Sequence, residues 1–253
     1  MIRKILLISS LFLIFISSFA NESSLNAFHK ANQAYDSAFY TKAIGIYEGL
    51  LQEHIVSSDL HYNLGNAYFK QNQIPLAILN YEKALKIEPN HGDAAYNLKL
   101  ANEKTIDKIE GIPELFLYRW WKTIFNLFSA ETWAKITLCL IYLAVVFSVF
   151  YFFSRTVFVK KLGFYIATTL FILSLGSWFL AHQQQAYLNQ MAYAIILEPT
   201  VNINSSPSAG SSKLFVLHEG TKVKIEDQTD TWFEVSIPNG NKGWIKAELI
   251  QGI

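Results

Sequence analysis

Six histidines, one cysteine and twenty carboxylates are the groups in this 253-residue sequence that could ligate a metal or move a proton. The histidines stand at 29, 54, 61, 91, 182 and 218. No two are four residues apart and HExxH does not occur, so helical zinc ligation has no local basis. His61 and His91 fall near each other in a repeat, but no cysteine accompanies them. Cys139 lies in a long apolar run where a thiolate is poorly stabilised, and a single cysteine excludes an intrachain disulfide framework or a multi-cysteine metal site. G-x-S-x-G, Walker A and G-x-G-x-x-G are absent, and the Asp and Glu residues have no spacing that pairs them. The sequence therefore predicts no catalytic residues, no cofactor and no metal. The chemistry its spacing does offer is non-covalent. Tyr62, Asn66, Phe69 and Lys70 fall on one helix face and Tyr96 on the next, and an Asn/Lys pair can hold an extended peptide's backbone or terminal carboxylate through charge-assisted hydrogen bonds. The same Asn residues could instead tie helix to helix, with Lys70 solvated.

A repeat positions that face. Ala43 and Tyr47 recur 34 residues on as Ala77 and Tyr81, and Asn63 and Leu64 recur as Asn97 and Leu98. Residues 61–89 read H-x2-Leu64-Gly65-x2-Tyr68…Ala77-x3-Tyr81…Pro89, the tetratricopeptide spacing with His61 where Trp is usual. Gly65 and Ala77 are small where the two helices meet closely, and Pro89 ends the second helix. The expected repeats cover about 24–57 and 58–91, with a capping helix over 93–110, inside a domain of residues 21–111. The step from Tyr35 to Ala43 is one residue shorter than that from Tyr68 to Ala77, which predicts a shorter first turn. Two and a half repeats bury little surface alone, so a partner, a membrane or the following aromatic segment is expected to complete the packing.

Charged residues make up 16% of the chain and aromatics 15%, against a usual charged share of about 25%. That balance predicts membrane segments. By region, residues 1–20 carry two cations and no acid, 21–111 eight against eleven, 112–194 six against two, and 195–253 five against seven. No region outside the hydrophobic middle is basic enough for nucleic acid. Arg3 and Lys4, the apolar run Ile5–Ile16 and Ser18-Phe19-Ala20 read as a signal peptide over residues 1–20, either cleaved after Ala20 or kept as an anchor. Residues 136–154 and 162–181 are long and apolar enough to span a bilayer. The connecting loop, 155–161, holds Arg155, Lys160 and Lys161, and the positive-inside rule assigns it to the cytoplasm. Both flanks are then periplasmic. Residues 112–133, with Phe116, Tyr118, Trp120, Trp121, Phe125 and Phe128, read either as an interfacial helix starting at Pro113 and Glu114 or as a packed linker.

After a linker over 182–198, residues 199–253 alternate with period two. Leu214–Leu217, Thr221–Ile225, Trp232–Val235 and Gly243–Lys246 are short strands in a small barrel of about five. Leu-His-Glu-Gly-Thr, Trp232 and Gly243-Trp244 resemble bacterial SH3-like domains, in which the Gly-Trp step closes the barrel and Ser205–Ser212 forms the early loop. Trp232 and Trp244 are read chiefly as core, with a ligand platform as the alternative.

The fold class expected is therefore a multi-domain membrane protein: all-α tetratricopeptide helix pairs, two transmembrane helices and an all-β SH3-like barrel. The order of parts resembles the Bacteroides aerotolerance (Bat) protein E family. Tyr62–Tyr68, Ala77–Ala84, Asp107–Trp121, Phe128-Ser129…Trp133, Phe215–Gly220 and Gly243-Trp244 carry that resemblance. It implies a non-enzymatic scaffold at the bacterial inner membrane, with both soluble domains on the periplasmic side. The partners it implies are the membrane and von Willebrand factor A-domain Bat-type membrane proteins, in a complex linked to aerotolerance or stress. An envelope sensor, whose barrel binds cell-wall peptide or glycan, is the alternative.

Overall fold

The computed structural model describes residues 22–112, 115–190 and 192–253. The signal peptide read over residues 1–20 and the helix start read at Pro113 and Glu114 lie outside the described residues. The chain divides into two compact units, the first ending at Val56 and the second running from Ser57 to Ile253.

In the first unit α1 (Glu22–Asp36) and α2 (Tyr40–Gln52) form a helical hairpin. Ala31, Ala43 and Tyr47 are buried between them, and Tyr47 Oη donates to Asn32 Oδ1 at 2.6 Å. The turn between them, 37–39, has Ala38 at φ 61°.

The second unit opens with α3 (Ser58–Lys70) and α4 (Ile74–Ile87), followed by α5 (Gly92–Asn102). Ser57 caps α3 by accepting the Leu60 N–H at 3.1 Å, which satisfies one orphan donor of the first turn. The turn 71–73 has Asn72 at φ 60°, 34 residues after Ala38. Tyr81 Oη donates to Asn66 Oδ1 at 2.8 Å, 34 residues on from the Tyr47–Asn32 pair. The two turns therefore have equal length. Ala34, not Tyr35, is the counterpart of Tyr68, and the shorter first turn expected from the tyrosine spacing is corrected. A Cβ on Gly65 would stand 2.8 Å from the Tyr81 ring, so glycine here permits the close helix approach that its position predicts.

The capping helix expected over 93–110 ends at Asn102, whose carbonyl accepts from the Thr105 hydroxyl at 2.8 Å. An extended segment, residues 105–112, then leads to α6 (Phe116–Phe125), α7 (Ala130–Phe153) and α8 (Val157–Gln190). Ala130–Phe153 and Val157–Ala186 are long and apolar enough to cross a membrane; 24 residues of helix measure about 36 Å. The two pair through small residues. Gly163, Ala167, Ser174 and Ser177 are buried along α8, opposite Thr137 and Ala144 of α7, as expected where lipid supplies no hydrophobic drive between helices. Lys160 and Lys161 belong to the first turns of α8 rather than to a loop, because no Gly or Pro stops the helix there. Likewise 182–190 continue α8, where the sequence suggests a linker.

The C-terminal sheet has seven strands: β1 (Tyr193–Ile196), β2 (Thr200–Asn204), β3 (Lys213–His218), β4 (Lys222–Gln228), β5 (Trp232–Ser236), β6 (Lys242–Lys246) and β7 (Ile250–Gly252). Their order is β3-β2-β6-β5-β4-β1-β7, with antiparallel pairing throughout. Strands β1 and β7 exceed the five expected, since each is too short for its alternation to stand out. Ile196, Ile203, Leu217, Val223, Val235 and Ile245 form the core. A Cβ on Gly243 would collide with Ile203 of β2, so the Gly-Trp step does mark where β6 closes on β2.

Candidate functional site

The repeat face is built on α3 and α5. Asn66 Oδ1 accepts from Tyr81 Oη and from Asn97 Nδ2, both at 2.8 Å, so its carbonyl oxygen binds helix to helix. The Tyr62 ring meets that of His91 at a tilt of 39°, with centres 4.8 Å apart. The Lys104 ammonium lies over the half-buried Phe69 ring, 4.9 Å from its centre. Lys70 is exposed, and Tyr96 is 63% exposed. Of the five residues expected to face a ligand, Lys70 and Tyr96 are the most open, and Asn66 contributes chiefly to the framework behind them.

His61, in the usual tryptophan position, is buried and shares a 2.9 Å hydrogen bond between Nδ1 and Asn80 Oδ1. Asn80 Nδ2 donates to the Leu76 carbonyl at 2.9 Å, so the amide oxygen is left to accept and His61 Nδ1 carries the proton. Burial pushes the imidazole pKa down, against the opposing bond to Asn80, with Lys83 adding a smaller push downward.

The residues that sequence reasoning missed lie in the segment after α5. Thr105, Asp107 and Ile109 turn inward while Ile106, Lys108 and Glu110 are exposed, the alternation of a strand. Asp107 Oδ2 accepts the His218 backbone N–H at 2.7 Å and the Thr221 hydroxyl at 2.8 Å. Its Oδ1 takes a 2.8 Å bond from His218 Nδ1; a carboxylate only accepts, so that nitrogen carries the proton. Burial works to raise the Asp107 pKa, but the bonds from His218 and Thr221 together outweigh it and hold the carboxyl below its ordinary value. Two residues on, Ile109 packs against the barrel core, and the Ile112 N–H donates to the Pro238 carbonyl at 3.1 Å.

The same contact explains the Leu-His-Glu-Gly stretch. Gly220 has φ +82°, and a Cβ there would stand 2.8 Å from Thr105 and 3.1 Å from Ile78 of α4. Only glycine satisfies both the left-handed backbone and the close approach. Lys222 reinforces the junction: its Nζ lies 2.6 Å from Glu82 Oε2 of α4 and 4.6 Å from the Tyr193 ring centre. A cleft beside it is lined by Glu82, Lys86, Lys122, Asn126, Tyr193 and Lys222. The string Asp-x-Ile-Glu-Gly-Ile and the string Leu-His-Glu-Gly-Thr are thus two halves of one latch. The alternation of 105–110 was the available signal.

On the barrel, Trp232 and Trp244 are half-buried and stand outside the core cluster. They alternate with Val235 and Ile245, which point inward, so the core reading of both tryptophans is corrected: they lie on the outer face. There Trp232 pairs with Lys246 and Glu234 with Trp244. A shallow cleft runs along Asp230, Thr231, Trp232, Lys246, Ala247 and Glu248. Among the described residues no group of three or more His, Cys, Asp or Glu side chains could hold a metal ion.

Comparison with known proteins separates the modules. Residues 58–91 match the tetratricopeptide repeat family, and residues 199–251 match the bacterial SH3 domain family. No curated protein matches the chain. Among solved structures it is similar to an NlpC/P60 family protein from Bacillus cereus ATCC 10987, at 20% identity and TM-score 0.22, over 28% of this chain and 23% of that one. The chain thus spans about a quarter of that protein's length. The composition of tetratricopeptide repeat plus bacterial SH3 domain stands on the two family matches. Modules of both kinds typically bind rather than catalyse.

Proposed function

We propose that this chain is a non-catalytic, membrane-anchored scaffold that presents a tetratricopeptide face and an SH3-like barrel together to protein partners. The observation that carries this reading is the Asp107 latch to His218 and Thr221. It joins a residue before the two membrane-length helices to residues after them, so both modules belong on one side of any membrane those helices cross. Arg155, Lys160 and Lys161, at the opposite end of the helical hairpin, favour the cytoplasm for that end. The reading that follows is an inner-membrane protein whose repeats and barrel are periplasmic, exported by an N-terminal signal. Two weak contacts offered by one body bind more tightly than either alone.

The resemblance to the Bat protein E family favours a von Willebrand factor A-type membrane protein as partner and a stress-related complex as the setting. The test is crosslinking in intact membranes, then purification and mass spectrometry of wild type and a Lys70→Ala/Tyr96→Ala variant. These two side chains are exposed, so removing them spares the Asn66 framework. Loss of a specific membrane protein in the variant supports docking on the repeat face. Equal recovery moves the contact to the barrel or the helices, and recovery of no specific protein overturns the scaffold.

A second reading, an envelope sensor, is favoured by the outward Trp232 and Trp244 with Lys246 and Glu234 between them. Aromatic faces flanked by charges suit sugar rings and charged stem peptides. Retention of the full-length protein on wall fragments, lost in Trp232→Ala/Trp244→Ala, would support it.

A further inference from the structure

Helix α6 (Phe116–Phe125) has two unlike sides. At 100° per residue, Phe116, Leu117, Trp120, Trp121 and Ile124 share one arc, while Arg119, Lys122 and, just beyond the helix, Asn126 share another. The structure uses the two arcs differently. Lys122 and Asn126 line the cleft against α4 and the barrel, and the Trp121 ring meets Phe179 of α8 with centres 6.3 Å apart. By contrast Phe116, Leu117 and Trp120 are 69%, 64% and 62% exposed, and Leu115 just before them is 82% exposed.

Exposed apolar surface of this extent on one short helix marks an interaction site. We infer that this side of α6 lies in the lipid bilayer, at the boundary between headgroups and acyl chains, and that its polar side is the seat on which the second repeat and the barrel rest. Three observations select lipid as the occupant. The exposed strip continues through Leu127 and Phe128 to Ser129, the cap of α7, and so joins the apolar surface of the membrane-length hairpin. Trp120 is a residue type that favours the headgroup layer. Arg119 is exposed on the adjoining arc, within reach of lipid phosphates.

The inference rests on α7 and α8 crossing the membrane, and the experiment separates the two. Full-length protein carrying Cys139→Ser is reconstituted in nanodiscs of phosphatidylethanolamine and phosphatidylglycerol. An environment-sensitive fluorophore is attached to single cysteines at Leu117→Cys, Trp120→Cys, Val145→Cys on α7 and Lys99→Cys on α5. Positions 117 and 120 should be quenched by shallow spin-labelled lipid about threefold more than by aqueous iodide, with the reverse ratio at 99 and deep-lipid quenching at 145. Iodide quenching at 117 and 120 equal to that at 99, with 145 still in lipid, overturns the seat and leaves the hairpin in place. Protection of 117 and 120 from both quenchers means that protein covers them, and overturns it as well. Lack of lipid quenching at 145 would sink the membrane reading itself and the seat with it.

Discussion

His61 shows how one unusual residue changes what a repeat can tolerate. Its ring is buried and bonded to Asn80, and burial lowers its pKa. The unfolded chain, with an ordinary histidine near 6.5, therefore binds the proton more readily than the folded one. Stability is full above that ordinary value and declines as pH falls below it, towards the depressed folded pKa. The melting midpoint of the full-length protein should drop between pH 7.5 and pH 5.5, and His61→Phe should remove part of that drop. The same variant leaves Asn80 Oδ1 unpartnered, at a cost of about 1–3 kcal/mol near neutral pH. Equal pH slopes for wild type and variant would contradict this account of His61.

The elements differ in how they gain their stability, and the sequence reveals them unequally. Helices α3 and α4 are legible because Leu64, Gly65, Tyr68, Ala77 and Tyr81 fall at the tetratricopeptide spacing, at positions fixed by helix–helix contact. The membrane-length helices are legible from unbroken apolar length. Their pairing is not, since Gly163, Ala167, Ser174 and Ser177 look like ordinary small residues until α7 stands opposite. A Cβ at Gly163 would stand 3.0 Å from the Phe147 carbonyl oxygen and 3.1 Å from the Tyr151 nitrogen, and backbone cannot give way as a side chain can. Gly163→Leu should destabilise the hairpin by about 1–3 kcal/mol, read as an earlier transition in detergent-driven unfolding. An unchanged transition would mean that the two helices do not pack closely there. Strands β1 and β7 stayed hidden for a different reason: three or four residues give alternation too few positions to register. Residue type alone favours the core for Trp232 and Trp244, but phase decides: Trp232 is one step from Phe233, which packs on the core, and Trp244 is one step from the buried Ile245, so both face outward.

At the scale of the second compact unit, which runs from Ser57 to Ile253, the second repeat and the barrel are one body because a short extended segment belongs to both. Asp107 and His218 are 111 residues apart, with two membrane-length helices between them, and no local pattern can announce such a pair. In the sequence each half has a reading of its own, Leu-His-Glu-Gly-Thr as part of the SH3-like pattern and Asp107–Trp121 as a stretch of family resemblance, and neither names the other as its partner. Removing the carboxylate would leave the His218 N–H and imidazole and the Thr221 hydroxyl without their acceptor, a loss of about 1–3 kcal/mol for each group left buried and unpaired. The latch is also the basis for reading both modules on one side of a membrane and for the scaffold that presents them together. It is best tested by distance measurement between spin labels at Lys99→Cys on α5 and Lys213→Cys on β3, in Cys139→Ser protein reconstituted in nanodiscs. A single narrow distance in this form, broadened by Asp107→Ala, is the predicted result. A broad distribution that Asp107→Ala leaves unchanged would mean that the barrel swings freely on its tether, and would contradict the account.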